Sequence, residues 1–182
     1  MLINGNVALI KRFEISYNLT QPVISGWRKC SNFASVSVKF FIPPMQQIND
    51  FFDIYAQALE RYDTKGMAFL YNIPCTMLSD DSTALFNDAG KLEGFFNQGV
   101  GFYKQFGITN VRPEIWNKKP LTGKILNVKV NWQYFDSLKQ PIYNCDYHYV
   151  LKMDKKDQWK IILSVSVNEK ERMEEWRDKL KS

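Results

Sequence analysis

Between residues 123 and 167 the sequence alternates with a period of two, and a helix cannot turn that pattern to one side. Leu126, Val128, Val130, Trp132 and Tyr134 fall on one face of a first strand, 123–135. Tyr143, Cys145, Tyr147, Tyr149 and Leu151 fall on one face of a second, 141–153. Trp159, Ile161, Leu163, Val165 and Val167 fall on one face of a third, 158–167. The opposite positions are mostly polar: Asn127, Lys129, Asn131 and Gln133, then Asn144, Asp146, His148 and Lys152. The connections at 136–140 and 154–157 are short and polar, as hairpin turns are. The stretch therefore predicts three long antiparallel strands in a sheet with one buried side.

Upstream, Ile48, Phe51, Phe52, Tyr55, Leu59 and Tyr62 recur at helical spacing and predict a helix over 46–62. Residues 63–66 interrupt it, 67–71 read as a short second helix ended by Pro74, and 75–78 and 83–86 read as two strands around a turn at 79–82. Leu92, Phe95, Phe96, Gly99, Tyr103 and Phe106 line one face of a helix over 91–106. Gly107 is placed to end it in a left-handed conformation. Gly99 in that stripe lowers helix stability and serves either close packing of sheet on helix or the shaping of a cavity. A more polar strand with Pro113 spans 108–116, with a turn at 118–122. A closing helix over 168–181 carries Met173, Trp176 and Leu180 at helical spacing and charges elsewhere, so 169–181 reads as a solvated helix face.

Residues 1–44 stand apart as an extension with little helical period, ending in Pro43-Pro44. They are read as a loosely attached extension, as a basic and acid-poor transit segment, or as sequence upstream of a start at Met45. A single domain over 45–182 follows. The net charge of +5 is concentrated in the extension, which holds Lys11, Arg12, Arg28, Lys29 and Lys39 against Glu14 alone. A basic nucleic-acid-binding face on the domain is therefore not expected. Three widely spaced cysteines, Cys30, Cys75 and Cys145, make neither a disulfide framework nor a zinc site and suit a reducing, cytoplasmic setting. One histidine excludes a multi-histidine metal centre, and no apolar run is long enough to span a membrane. Neither a metal nor a cofactor is expected. No phosphate loop, nucleophile elbow or dinucleotide fingerprint is present; Gly94, Gly99 and Gly101 lie within a helix and follow no strand.

Strands outnumber crossover helices, which argues against a parallel α/β sheet. The order is long helix, short helix, hairpin, helix and four long strands. With the segment from Phe52 to Asp63 and the closing strand from Trp159 to Val167, that order resembles the nuclear-transport-factor-2-like, or SnoaL-like, superfamily. The resemblance covers about 45–167. It implies an α+β fold in which a strongly curved, mostly antiparallel sheet wraps around the N-terminal helices as a cystatin-like cone, here with an extra C-terminal helix. It also implies a pocket, and the family's frequent use of the sheet's outer face for dimerisation. The superfamily includes ketosteroid isomerases, polyketide cyclases, dehydratases and non-catalytic binding modules.

In the isomerases the first helix supplies a tyrosine that donates to the substrate oxyanion, and Tyr55 falls at the matching place. Asp80 lies near the position of their general base, although not in clear register. Tyr149 stands where they carry a protonated acid, which argues against a true ketosteroid isomerase. The expected cavity wall comprises Phe52, Phe96, Trp132, Tyr147, Tyr149 and Trp159, with Trp116 in the core or the wall. Buried tyrosines and tryptophans equally serve as packing residues with satisfied polar ends. Asp80 equally serves as a turn residue beside Asp81 and Ser82, and His148 and Asp146 belong to the polar face. Two functions are open: a module that binds a small apolar ligand as a homodimer, or an isomerase, dehydratase or cyclase using Tyr55 and Asp80. A buried carboxylate beside Tyr55 discriminates between them.

Overall fold

A computed structural model of the protein describes residues 44–181. The expectations for the preceding extension lie outside the described residues. Helix α1 (Pro44–Glu60) starts at a proline, whose fixed φ suits a first helical turn, so this proline opens the helix rather than barring it. Ile48, Phe51, Phe52, Tyr55 and Leu59 are buried, as their spacing predicts. Helix α2 (Thr64–Phe69) begins earlier than expected because Asp63 caps it, its carboxylate accepting from the Gly66 N–H at 2.8 Å. Strand β1 (Tyr71–Ser79) consequently begins at Tyr71, where the sequence predicts the end of a helix. Pro74 sits where the pairing of β1 slips between Tyr71 and Thr76, a position at which a missing N–H breaks no ladder.

Strand β2 (Ser82–Phe86) completes a hairpin, and helix α3 (Ala89–Gln105) follows. Asp88 caps α3 through the Lys91 N–H at 2.9 Å, and Gly107, at φ +67°, ends it in the left-handed region as expected. Strands β3 (Asn110–Thr122), β4 (Ile125–Phe135), β5 (Pro141–Met153) and β6 (Trp159–Ser166) then run to helix α4 (Glu169–Lys179). Strand β3 continues through 118–122, where the sequence reads as a turn. Slips in its pairing near Trp116 and Leu121 hide the alternation there.

The six strands form one sheet in the order β2-β1-β6-β5-β4-β3. Strand β1 pairs with β6 in parallel and every other pair is antiparallel. The inner face carries Leu126, Val128, Val130, Trp132 and Tyr134 of β4 and Tyr143, Cys145, Tyr149 and Leu151 of β5, all buried. Helix α1 packs on that face through Phe52, whose ring meets Trp132 at 6.1 Å and Tyr149 at 5.2 Å between centroids. Each large side chain buried this completely contributes roughly 1.5–3 kcal/mol.

One strand departs from its predicted facing. The pairing of β5 with β6 slips between Val150 and Leu151, so that Leu151 opposes Ile161 while Val150 opposes Leu163. A bulge of this kind reverses the side-chain alternation beyond it. Ile161 therefore points inward and so does Ser164, which is 3% exposed, while Leu163 and Val165 turn to the outer face. Among the described residues no helix is long and apolar enough to cross a membrane.

Candidate functional site

Between the inner face of the sheet and helices α1, α2 and α3 lies a cavity of about 180 Å³. Its wall includes Tyr55, Tyr71, Phe96, Tyr103, Trp132, Tyr134, Tyr147 and Tyr149, with Ser164 and Glu169 as polar contributions from β6 and α4. Gly99 borders it, and a methyl group built there meets nothing within 4 Å. Close packing of the sheet is therefore not the reason for this glycine, which lies on the cavity wall. A more open groove of about 480 Å³ adjoins beneath α4 and shares Met77, Phe95, Tyr147, Ser164 and Glu169 with the cavity.

The tyrosine hydroxyls are organised into pairs and one cluster. Tyr55 Oη and Tyr71 Oη share a hydrogen bond of 3.0 Å, and the Trp132 indole N–H donates to Tyr149 Oη at 2.9 Å. Burial, with the neighbouring Tyr71 and Tyr149, holds the Tyr55 hydroxyl well above its ordinary pKa. It remains a neutral donor or acceptor throughout the physiological range.

The cluster centres on Glu169. Tyr103 and Tyr143 each donate to Glu169 Oε1 at 3.2 Å, and Tyr147 donates to Oε2. The residue opens α4 and is half-buried as a whole, with its carboxyl turned inward among these rings. Burial raises the carboxyl's pKa above the ordinary glutamate value, and the three hydroxyl donors pull it back only in part. Backbone geometry explains the placement. The Asn168 side-chain oxygen accepts from the Asp146 N–H at 2.8 Å, and the Val167 N–H donates to the Asp146 carbonyl at 2.9 Å. These bonds pin the chain over β5, so the next residue meets the inward Tyr143 and Tyr147.

Of the residues the sequence singles out, Tyr55, Phe96, Trp132, Tyr147 and Tyr149 come together on this wall. Phe52 is completely buried behind it, backing Trp132 and Tyr149. Trp159 is half-buried against the core near the start of β6 and does not line the cavity. Trp116 is 50% exposed with the Lys129 ammonium 4.7 Å from its ring centre, which corrects its expected place in the core or wall. Asp80 is exposed in the turn between β1 and β2, away from the cavity. Two short strands joined by so tight a turn leave it no path inward, so it is not placed to act as a base there. The cavity that Tyr55 lines does hold a carboxyl, that of Glu169, bonded to Tyr103, Tyr143 and Tyr147 and not to Tyr55. The mixed charges of 169–181 concealed it. The available signal was its position, directly after an inward-pairing strand. Among the described residues no group of histidine, cysteine, aspartate or glutamate could hold a metal ion.

Solved structures share this architecture at low identity, and so report on fold alone. A domain from Nostoc punctiforme with a cystatin-like fold matches with a TM-score of 0.58 at 12% identity, over 79% of this chain and 89% of that one. An NTF-2 like protein from Shewanella oneidensis matches with a TM-score of 0.52 at 16% identity, over 68% and 98%. A ketosteroid isomerase-like protein from Erwinia carotovora matches with a TM-score of 0.53 at 11% identity, over 70% and 97%. No curated protein matches the sequence. A family model described as NTF2-like protein (DUF6841) matches residues 46–169, which hold the helices of the cone, all six strands and Glu169. The chain belongs to this NTF2-like family.

Proposed function

We propose that the domain binds a small, largely apolar molecule in the aromatic cavity, with its polar end held by Glu169 and the Tyr55–Tyr71 pair. The observation that carries this reading is a carboxyl group turned into a hollow lined mainly by aromatic and apolar side chains. Binding sites of this kind combine apolar walls with a few convergent polar groups. A dry cavity of about 150 Å³ takes a benzene-sized molecule, so the enclosed space here suits a single ring and not a fused steroid skeleton. A longer ligand would extend into the groove beneath α4.

A second reading is an enzyme of the isomerase or dehydratase type, favoured by the raised pKa of Glu169 in the same cavity as Tyr55. Glu169 then takes the proton-transfer role for which Asp80 is misplaced, and Tyr55 donates to a developing oxyanion. A carboxyl held above its ordinary range by burial is suited to exchange a proton with a bound substrate.

Native mass spectrometry of the purified protein, compared with Tyr55→Phe, tests the binding reading. A co-purifying small molecule is expected on the wild type and at lower occupancy on the variant. An identical ligand profile on both would remove Tyr55 from the site.

The apolar outer positions of β6 support a further proposal, that two copies associate through the outer face of the sheet. Leu163 and Val165 stand there beside Val150 and His148 of β5.

A further inference from the structure

We infer that the cavity selects a small organic cation, an ammonium group on a single-ring or similarly compact apolar body, seated against Glu169 Oε2 and the surrounding ring faces. The inference names the ligand class for the proposed binding cavity and rests on that reading. Aromatic faces carry negative electrostatic potential, and a cage of them attracts a cation. Aromatic side chains supply most of the wall here, and among the described residues Glu169 is the one charged side chain that lines it, with no lysine, arginine or histidine.

The carboxyl is not fully used. An ionised carboxylate accepts about four hydrogen bonds. The described residues give Oε1 two, from Tyr103 and Tyr143, and Oε2 one, from Tyr147. Oε2 therefore has capacity for a further donor, and Glu169 lines the cavity. Burial and the three hydroxyls are what act on this carboxyl, with no side-chain cation among them. A buried carboxylate without a counter-charge is costly, and a bound ammonium would supply the missing charge as well as the missing donor. The cations nearby line the outer groove: Lys170 is tied to Asp81 at 2.7 Å, and Arg177 lies further along α4.

Isothermal titration of the full-length chain with benzylamine, benzyl alcohol and benzoate tests the inference, because the three share one ring and differ in charge. Benzylamine is expected to bind at least about tenfold more tightly than benzyl alcohol, a factor equivalent to about 1.4 kcal/mol, and benzoate most weakly. Glu169→Gln should bring the amine and the alcohol within about twofold of each other, the amine losing the greater share of its affinity. On the wild type alone, amine affinity should fall as pH drops through the titration of Glu169, while alcohol affinity stays constant. The groups facing this carboxyl are Tyr103 of α3, Tyr134 of β4, and Tyr143, Cys145, Tyr147 and Tyr149 of β5. Burial keeps all of them protonated across that range, so they add no titration of their own. Equal or tighter binding of benzyl alcohol or benzoate overturns the assignment of a cation and leaves the cavity as a binding site. Failure of all three probes to bind overturns the cavity reading itself.

Discussion

At Glu169 the cost of burying a charge competes with the hydrogen bonds that stabilise it. The folded chain raises this carboxyl's pKa, so between the ordinary value of about 4.3 and the raised one the native state holds a proton that the unfolded chain has released. Stability from this group is therefore complete at low pH and is lost as pH rises through that interval. Glu169→Gln removes the titration while keeping the shape. The melting temperature of the variant minus that of the wild type should become more positive from about pH 4 toward neutrality. Calorimetric scans across that range check it, and a difference that does not change with pH would mean the carboxyl is solvated. The aromatic partners of this residue were legible in the sequence, because Tyr143 and Tyr147 fall at strand spacing and Tyr103 at helical spacing. The carboxyl was not, since a single inward glutamate in a helix such as Glu169–Lys179 leaves no periodic trace.

Elements follow from periodicity, and their ends from capping, which is why the existence of each helix and strand was legible while several boundaries moved. Asp63 and Asp88 start helices through single side-chain hydrogen bonds that no apolar pattern registers. Register slips are harder still. The bulge between β5 and β6 turns Leu163 and Val165 outward, although their sequence alternation with Trp159 and Ile161 is unbroken. Helix α3 offers a direct test of the same scale. A Cβ at Gly99 meets nothing within 4 Å, and the backbone there is an ordinary helix. Gly99→Ala should therefore stabilise the protein by about 0.5–1 kcal/mol through helix propensity and loss of unfolded-state freedom. Urea denaturation measures this, and a loss of comparable size would show the sheet closing on that position after all.

For the whole molecule, the curved sheet resolves two demands with its two faces. The inner face is spent on the core and the cavity, and the order of helices and strands made that division legible from the sequence. The outer face is polar over most of β4 and β5, yet the bulge in β6 places Val165 beside His148 and Leu163 beside Val150 on it. Trp116 adds an exposed indole on the neighbouring part of the sheet, stacked beneath Lys129. A stable association of two copies buries about 1,600 Å² in total, and it needs a desolvated apolar centre with a polar rim. Leu163 and Val165 are suited to be that centre, and Lys129, His148 and Asn127 to be the rim. If so, the wild type sediments at twice its 21.4 kDa chain mass and Val165→Asp sediments as the single chain. Val165 is only half-buried in one copy, so the melting temperature of the variant should fall by a few degrees at most when measured at dilution. A wild type that stays at the single-chain mass at high concentration, or a Val165→Asp variant that still doubles, would remove the outer face of β6 as the interface.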